Sequence, residues 1–243
     1  MSRAFYHEHP GIVLLETDVL DAAPGKALLA QSPFFPGGGG QLADRGVLRG
    51  GQGAVAVSGF EKNGGRLWHL LADPQVQLSG RIQAAVDADF RQMMTQLHTD
   101  THILNAIIFQ EFNGALVTGV QMNEDGTARM DFDLPDTDND RLRAIEGPIN
   151  AAIRQDLAVS DSYMALDDAY EERGLIRTRS VMPPPTTDGK VRIVEIAGLD
   201  RQACGGTHLA STGLSGPVRI LKIDNKGRRN RRIKIGLADR VGA

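Results

Sequence analysis

Between Ala84 and Phe112 the chain reads AAVDADFRQMMTQLHTDTHILNAIIFQEF, without one glycine or proline. No stretch constrains the fold more. Nothing in it interrupts a helical hydrogen-bond ladder. Phe90, Met94, Leu97, Thr101, Leu104 and Ile108 recur at helical spacing. One long helix is therefore predicted over about 84–112, ended by Asn113-Gly114. The eighty residues before it read differently. Short apolar runs (GIVLLETDVL, KALLAQS, GAVAVSGF, RLWHLLA, QVQLSGRI) alternate with Gly, Pro, Asp and Asn turns, the pattern of a small antiparallel barrel or sandwich. The longest loop there holds FFPGGGGQLADRG, Phe34 to Gly46.

After the helix two strands are predicted, ALVTGVQM and ARMDFDL, joined by the turn NEDG. A second helix is expected from about Asp138 to Gln155. A strand with a short helix follows in VSDSYMALDDAYEERG, and then the strands VRIVEIAG, PVRILKID and RRIKIGLA. Strands and helices do not alternate regularly, so the class is α+β. A β-barrel-like domain over 1–83 and an α+β domain over 84–243 are expected.

The long helix carries two of the chain's six histidines, His98 and His102, four residues apart and so on one face. H-x-x-x-H alone is a weak signal, because helix-face histidines are common. The metalloprotease signature needs Glu directly after the first His, and Thr99 stands there instead. Asp100 would point away from the shared face by roughly 160 to 200°, which suits a surface or supporting role. A second pair with matching spacing closes the glycine-rich loop CGGTH, where Cys204 precedes His208 by four residues. Three imidazoles and one thiolate form a sensible Zn2+ set. Four protein ligands ordinarily describe a structural zinc, whereas catalytic zinc keeps one position open. The sequence leaves that choice open.

Composition sets few further limits. Cys204 is the only cysteine, so no intramolecular disulfide forms. No apolar run approaches the roughly 18 residues of a membrane span, and MSRAFYHEHP has no apolar core of a secretory signal, so a cytoplasmic protein without membrane contact is expected. His7 and His9 read as solvent-exposed strand-end histidines, and His69 beside Trp68 as a packed one. The net charge of -3 is unevenly spread: from Pro217 onward nine Lys or Arg face only Asp224 and Asp239, a local +7 on a body of −10. Such a segment is either a phosphate-binding surface or a solvated strand pair with a charged turn.

These motifs together resemble a known family. HTDTHILNAII, followed by VRIVEIAGLDRQACGGTHLASTGLSGPVRILKIDNKGRRNRRI, is similar to the editing domain of alanyl-tRNA synthetase. Freestanding forms of that domain make up the AlaX family. FFPGGGGQLADRG resembles the family's element F-Y-P-x-G-G-G-Q-x-x-D-x-G, with Phe35 in place of Tyr and Gly37 where a polar residue is common. The resemblance covers nearly the whole chain and suits the medium-length form, with no room for an aminoacylation domain. It implies zinc-dependent hydrolysis of alanine-specific tRNA mischarged with serine, and with glycine as a further substrate. It implies zinc ligands at His98, His102, Cys204 and His208. Gly38, Gly39, Gly40 and Gln41 fall on the glycine-rich element, Gln41 as a catalytic candidate. Ser32 stands where members often carry a threonine whose hydroxyl tells serine from alanine. Nucleotide and ATP binding are attributes of the family name alone. Given a tRNA, Lys226, Arg228, Arg229, Arg231 and Arg232 would contact its phosphates. Two alternatives remain: an editing enzyme of the threonyl-tRNA type, and a tRNA-binding module with structural zinc. Oligomeric state is not legible, and neither are roles for Thr118 and Gln121.

Overall fold

The computed structural model describes residues 3–51, 53–135, 137–172, 174–177, 186 and 188–241. They fall into two compact units, one comprising 1–38 and 42–92, the other 39–41 and 93–243.

The first unit opens with one helical turn, α1 (Phe5–Glu8), and continues with strands β1 (Leu14–Ala23), β2 (Lys26–Leu29), β3 (Gly46–Gly50), β4 (Gly53–Asn63), β5 (Arg66–Leu71) and β6 (Arg81–Val86). They close into an antiparallel barrel in the order β1-β2-β5-β4-β3-β6. Alternation explains the closure. Val55 and Val57 of β4, and Ile82, Ala84 and Val86 of β6, point inward at every second position. Phe34, from the glycine-rich loop, is fully buried among them. A bulge between Val19 and Asp21 breaks the β1–β2 register, and Leu20 is left 64% exposed there.

Three expectations are corrected in this unit. Residues 84–86, expected to start the helix, instead end the strand β6. Ile82, Ala84 and Val86 supply a period of two, and β6 pairs with both β1 and β3, so the ladder takes residues that local helix propensity would claim. QVQLSGRI is a strand only from Arg81, after Gly80 turns the chain at φ +68°. The short strand GVLRG (β3) and the turn α1, which carries His7, carry too few patterned residues to be foreseen.

The helix α2 (Ala88–Glu111) begins one residue after Asp87, whose carboxylate accepts from Phe90 N–H at 3.1 Å. It ends as expected, with Asn113 (φ +53°) and Gly114 (φ +76°) in the left-handed region. Residues 97–108 are buried on every side, so their polar members must find partners inside. The second unit continues with β7 (Val117–Met122), β8 (Thr127–Asp133), α3 (Asn139–Ala144), α4 (Glu146–Arg154), β9 (Val159–Ala165), α5 (Leu166–Glu171), β10 (Lys190–Ile196), β11 (Asp200–Ala203), β12 (Val218–Asn225) and β13 (Asn230–Leu237). These strands make two antiparallel sheets, β12-β13-β8-β7 and β11-β10-β9. The single helix expected over 138–155 is two, broken at Ile145. Pro148 lacks the N–H that would bond to Ala144, so the first helix stops there. With a barrel, two sheets and few helices, the chain is α+β.

A candidate metal centre

The two histidine-bearing segments meet. One ligand atom from each of His98, His102, Cys204 and His208 lies within 4.8 Å of the others. Cys204 Sγ is 3.4 Å from His98 Nε2 and 3.3 Å from His208 Nε2. Zinc–nitrogen and zinc–sulfur bond lengths in a tetrahedron separate neighbouring donors by about 3.3 to 3.6 Å. The donor set therefore fits Zn2+ in chemistry, and its two Cys204 contacts fit in spacing.

Each imidazole is turned to present Nε2 by a partner on its other nitrogen. His98 Nδ1 donates to Gln41 Oε1 at 2.7 Å. His102 Nδ1 donates to Asp200 Oδ2 at 3.1 Å. His208 Nδ1 donates to Thr99 Oγ1 at 3.3 Å, and that hydroxyl is itself committed to the Thr95 carbonyl. Such partners fix tautomer and ring angle before any ion arrives. The acceptors are anchored in turn. Gln41 takes Thr207 N–H at 3.0 Å on the same oxygen and donates to Thr207 Oγ1 at 2.8 Å. Asp200 Oδ2 accepts from Gln202 Nε2 at 2.6 Å, and Gln202 is held by Asn105 at 3.0 Å. Arg177 Nη1 lies 2.7 Å from the other Asp200 oxygen, an ion pair without hydrogen-bond alignment.

The CGGTH loop is tied from beneath. Arg192 Nη1 donates to the carbonyls of Gly206 at 2.9 Å and Cys204 at 3.3 Å. Gly206 allows this approach, because a Cβ there would overlap the His98 ring and lie 2.9 Å from Gln41 Oε1. Burial by itself raises the Cys204 thiol, but the three surrounding imidazoles outweigh it and hold its pKa well below the ordinary value. Burial likewise opposes protonation of His102, yet the Cys204 sulfur and Asp200 lift it to about 9. The buried thiol is thus poised as thiolate, the form that binds metal.

The glycine-rich element divides between the units. Gly39, Gly40 and Gln41 belong with the metal-centre unit, Gly38 and Ser32 with the barrel. A Cβ on Gly39 would stand 4.0 Å from His98 Cε1, so this backbone borders the ring. Gly40, at φ +83°, accepts from Met122 N–H at 2.8 Å through its carbonyl, and a Cβ there would press to 2.7 Å from Val120. Ser32 Oγ is 2.7 Å from His69 Nε2 and accepts from Phe34 N–H at 3.2 Å. His69 is packed between Phe34 and Phe60, and burial lowers its pKa to about 4.

Asp100 is corrected. Of the two readings, surface or supporting, burial removes the first: the side chain is fully buried, and its two oxygens face the Ser215 hydroxyl at 2.8 and 3.0 Å. Burial pushes its carboxyl up to about 8 against that hydrogen bond. Thr118 donates to Asn230 at 3.3 Å and Gln121 accepts from Arg129 at 2.8 Å, so both side chains are engaged within the sheet. Asp200, Gln202, Arg177 and Thr99 escaped the sequence reading. They lie beside ligand motifs or far along the chain, with no spacing that marks a supporting role.

The basic residues sort by position on the β12–β13 hairpin. Lys226 and Arg228 are exposed at its tip. Arg229 bonds Asp133 through two nitrogens at 3.0 and 3.1 Å, and Arg232 bonds Asp131 at 2.7 and 2.8 Å. Arg231 is buried, and its Nη1 donates to the backbone carbonyls of Gly227 and Asn230.

Residues 191–234 match a family described as the second additional domain of threonyl and alanyl tRNA synthetases. The chain is 31% identical over 232 residues to the alanine–tRNA ligase of Corynebacterium efficiens and 31% identical over 226 residues to that of Pyrococcus abyssi. Each match takes in 92% of this chain but only 26% and 24% of those ligases, so the chain spans about a quarter of their length. One relative matches from end to end: the alanyl-tRNA editing protein AlaX-M of Saccharolobus solfataricus, 28% identical over 236 residues, which cover 96% of this chain and 98% of that protein. The chain is a homologue of the AlaX alanyl-tRNA editing proteins.

Proposed function

We propose that this chain is a trans-editing deacylase that cuts the ester of alanine-specific tRNA mischarged with serine, and to a lesser degree glycine, at a zinc centre held by His98, His102, Cys204 and His208. The observation that carries this reading is the preassembled three-imidazole, one-thiolate cluster, in a chain that aligns along its length with an alanyl-tRNA editing protein. A zinc ion bound there supplies Lewis acidity towards the ester carbonyl. The chain's own residues do the rest. Gln41 and Asp200 hold the rings of His98 and His102, and the Gly39 backbone borders the His98 ring.

Such a site answers a physical problem. A pocket built for alanine rejects the slightly larger serine weakly, and a second hydrolytic site does the sorting that binding alone cannot. A site that hydrogen-bonds the serine hydroxyl disfavours alanine, which leaves buried polar groups unpaired. The test is deacylation of Ser-, Gly- and Ala-tRNA(Ala) with and without chelator. Serine release above the uncatalysed rate, lost on chelation and absent for alanine, is expected. The four-ligand, largely buried set also suits a structural zinc. Stoichiometric zinc with no deacylation would establish that second reading instead.

The hairpin tip is the natural phosphate contact. Neutralising Lys226 and Arg228 together is expected to lower the salt dependence of tRNA binding by about one to two phosphates' worth of slope. Arg231→Gln, at a buried position, should alter stability and leave the slope alone. Titration of binding against salt checks both.

A further inference from the structure

We propose that the metal centre is graded, and that His208 is its exchangeable ligand: the one whose place opens to substrate while His98, His102 and Cys204 keep the ion. This rests on the zinc reading above, and it resolves how a set of four protein ligands can still be catalytic.

Three observations separate His208 from the others. It is partly buried, whereas the other three are buried. Its outer bond is the longest of the three imidazoles', 3.3 Å, against 2.7 Å for His98 and 3.1 Å for His102. The acceptor is also the weakest in kind. His102 is oriented by a carboxylate, itself fixed by Gln202 and faced by Arg177, and charge-assisted bonds are the stronger ones. His98 is oriented by an amide oxygen that simultaneously takes Thr207 N–H. Among the described residues, His208 Nδ1 is oriented by the Thr99 hydroxyl, which is shared with Leu209 N–H at 3.0 Å and turned towards the Thr95 carbonyl.

The backbone repeats the ranking. His98 and His102 stand on successive turns of a helix buried around them. Cys204 is pinned by its N–H on the Arg192 carbonyl at 3.0 Å and by the Arg192 guanidinium on its own carbonyl. His208 lies outside any helix or strand, between the anchored Thr207 and Leu209. Its ring can therefore swing without moving the rest of the site. A ligand that loses its place must be the one with least held in reserve by its surroundings, and the outer partners of ligands commonly set affinity by factors of about 10 to 100.

The test uses the full chain with zinc and with cobalt(II) as a spectroscopic probe. His98→Ala and His102→Ala are expected to lose stoichiometric metal. His208→Ala should retain one equivalent, with affinity reduced about 10-fold and the cobalt–thiolate absorption preserved, since Cys204 stays bound. Two milder variants guard against misfolding. Asp200→Asn should weaken zinc about 10- to 100-fold, whereas Thr99→Val should change zinc affinity less than about 3-fold while lowering Ser-tRNA(Ala) turnover. If His208→Ala is as empty as His102→Ala, or Thr99→Val as damaging to affinity as Asp200→Asn, the grading is wrong while the zinc reading stands. A wild-type chain that takes up no zinc would overturn the zinc reading, and this inference with it.

Discussion

Gly206→Ala is expected to empty the metal centre. The added methyl would occupy the space of the His98 ring and crowd Gln41 Oε1 at 2.9 Å. Gly206 has no left-handed φ, so alanine meets no backbone strain there and the effect is steric alone. Relief requires the ring or the loop to move. The ring is fixed on a buried helix and bonded to Gln41, and the loop is fixed by Arg192 and Thr207. Overpacking in a rigid interior costs typically 1–3 kcal/mol, and here it falls directly on ligand geometry. We expect zinc affinity to drop by about 100-fold or more, at or beyond the upper end of what loss of a supporting partner does. Elemental analysis after dialysis, with circular dichroism to confirm folding, gives the answer. Near-stoichiometric zinc in a folded Gly206→Ala chain would mean that the loop has a second, roomier conformation.

Arg91→Met is expected to be the most damaging single change in the barrel unit. Arg91 bonds Asp44 through Nε at 2.9 Å and through Nη2, and Nη2 also donates to the Pro33 carbonyl at 2.7 Å. The Asp44 side chain is wholly buried and accepts Phe35 N–H at 2.6 Å. One ion pair thus ties the end of the glycine-rich loop to its beginning and to the first turns of α2. Removing the cation leaves a buried carboxylate uncompensated, which costs about 3–5 kcal/mol, a large part of the 5–15 kcal/mol that holds a typical domain together. Arg91→Met with Asp44→Leu should recover much of the loss, because a buried pair replaced by apolar residues is often neutral. The only tryptophan, Trp68, sits on β5 of the same barrel and reports urea unfolding of this unit directly. A loss below about 1 kcal/mol for Arg91→Met would show that Asp44 is solvated or finds another donor.

Both changes lie in places that the sequence marks only indirectly. Phe34–Gly46 is conspicuous for its glycines, yet the residue that secures it is Arg91, about fifty positions away on a helix. CGGTH is conspicuous for its ligands, yet what makes Gly206 indispensable is a ring on another element. Strand periodicity was legible where it alternated cleanly, as in β4 and β5, and misleading at Ala84–Val86, where residues compatible with a helix complete a barrel. The helix break at Ile145 follows from Pro148, a local cause that apolar periodicity hides.

What the sequence determined by itself was chemical identity. It holds three imidazoles and one thiol in two pairs of matched spacing, a long uninterrupted helix to carry the first pair, and a glycine-rich loop to carry the second. Those facts depend on residue type and on distances along the chain, which sequence contains. Tertiary structure decided which partner turns each ring. Gln41, Asp200 and Thr99 reach His98, His102 and His208 from positions 57, 98 and 109 residues away along the chain. It also decided that Arg231 is buried while Lys226 and Arg228 face solvent, and that Asp100 is buried beside Ser215. Hydrogen bonds at 2.7 to 3.3 Å are set by how elements pack, and packing is a property of the folded chain as a whole.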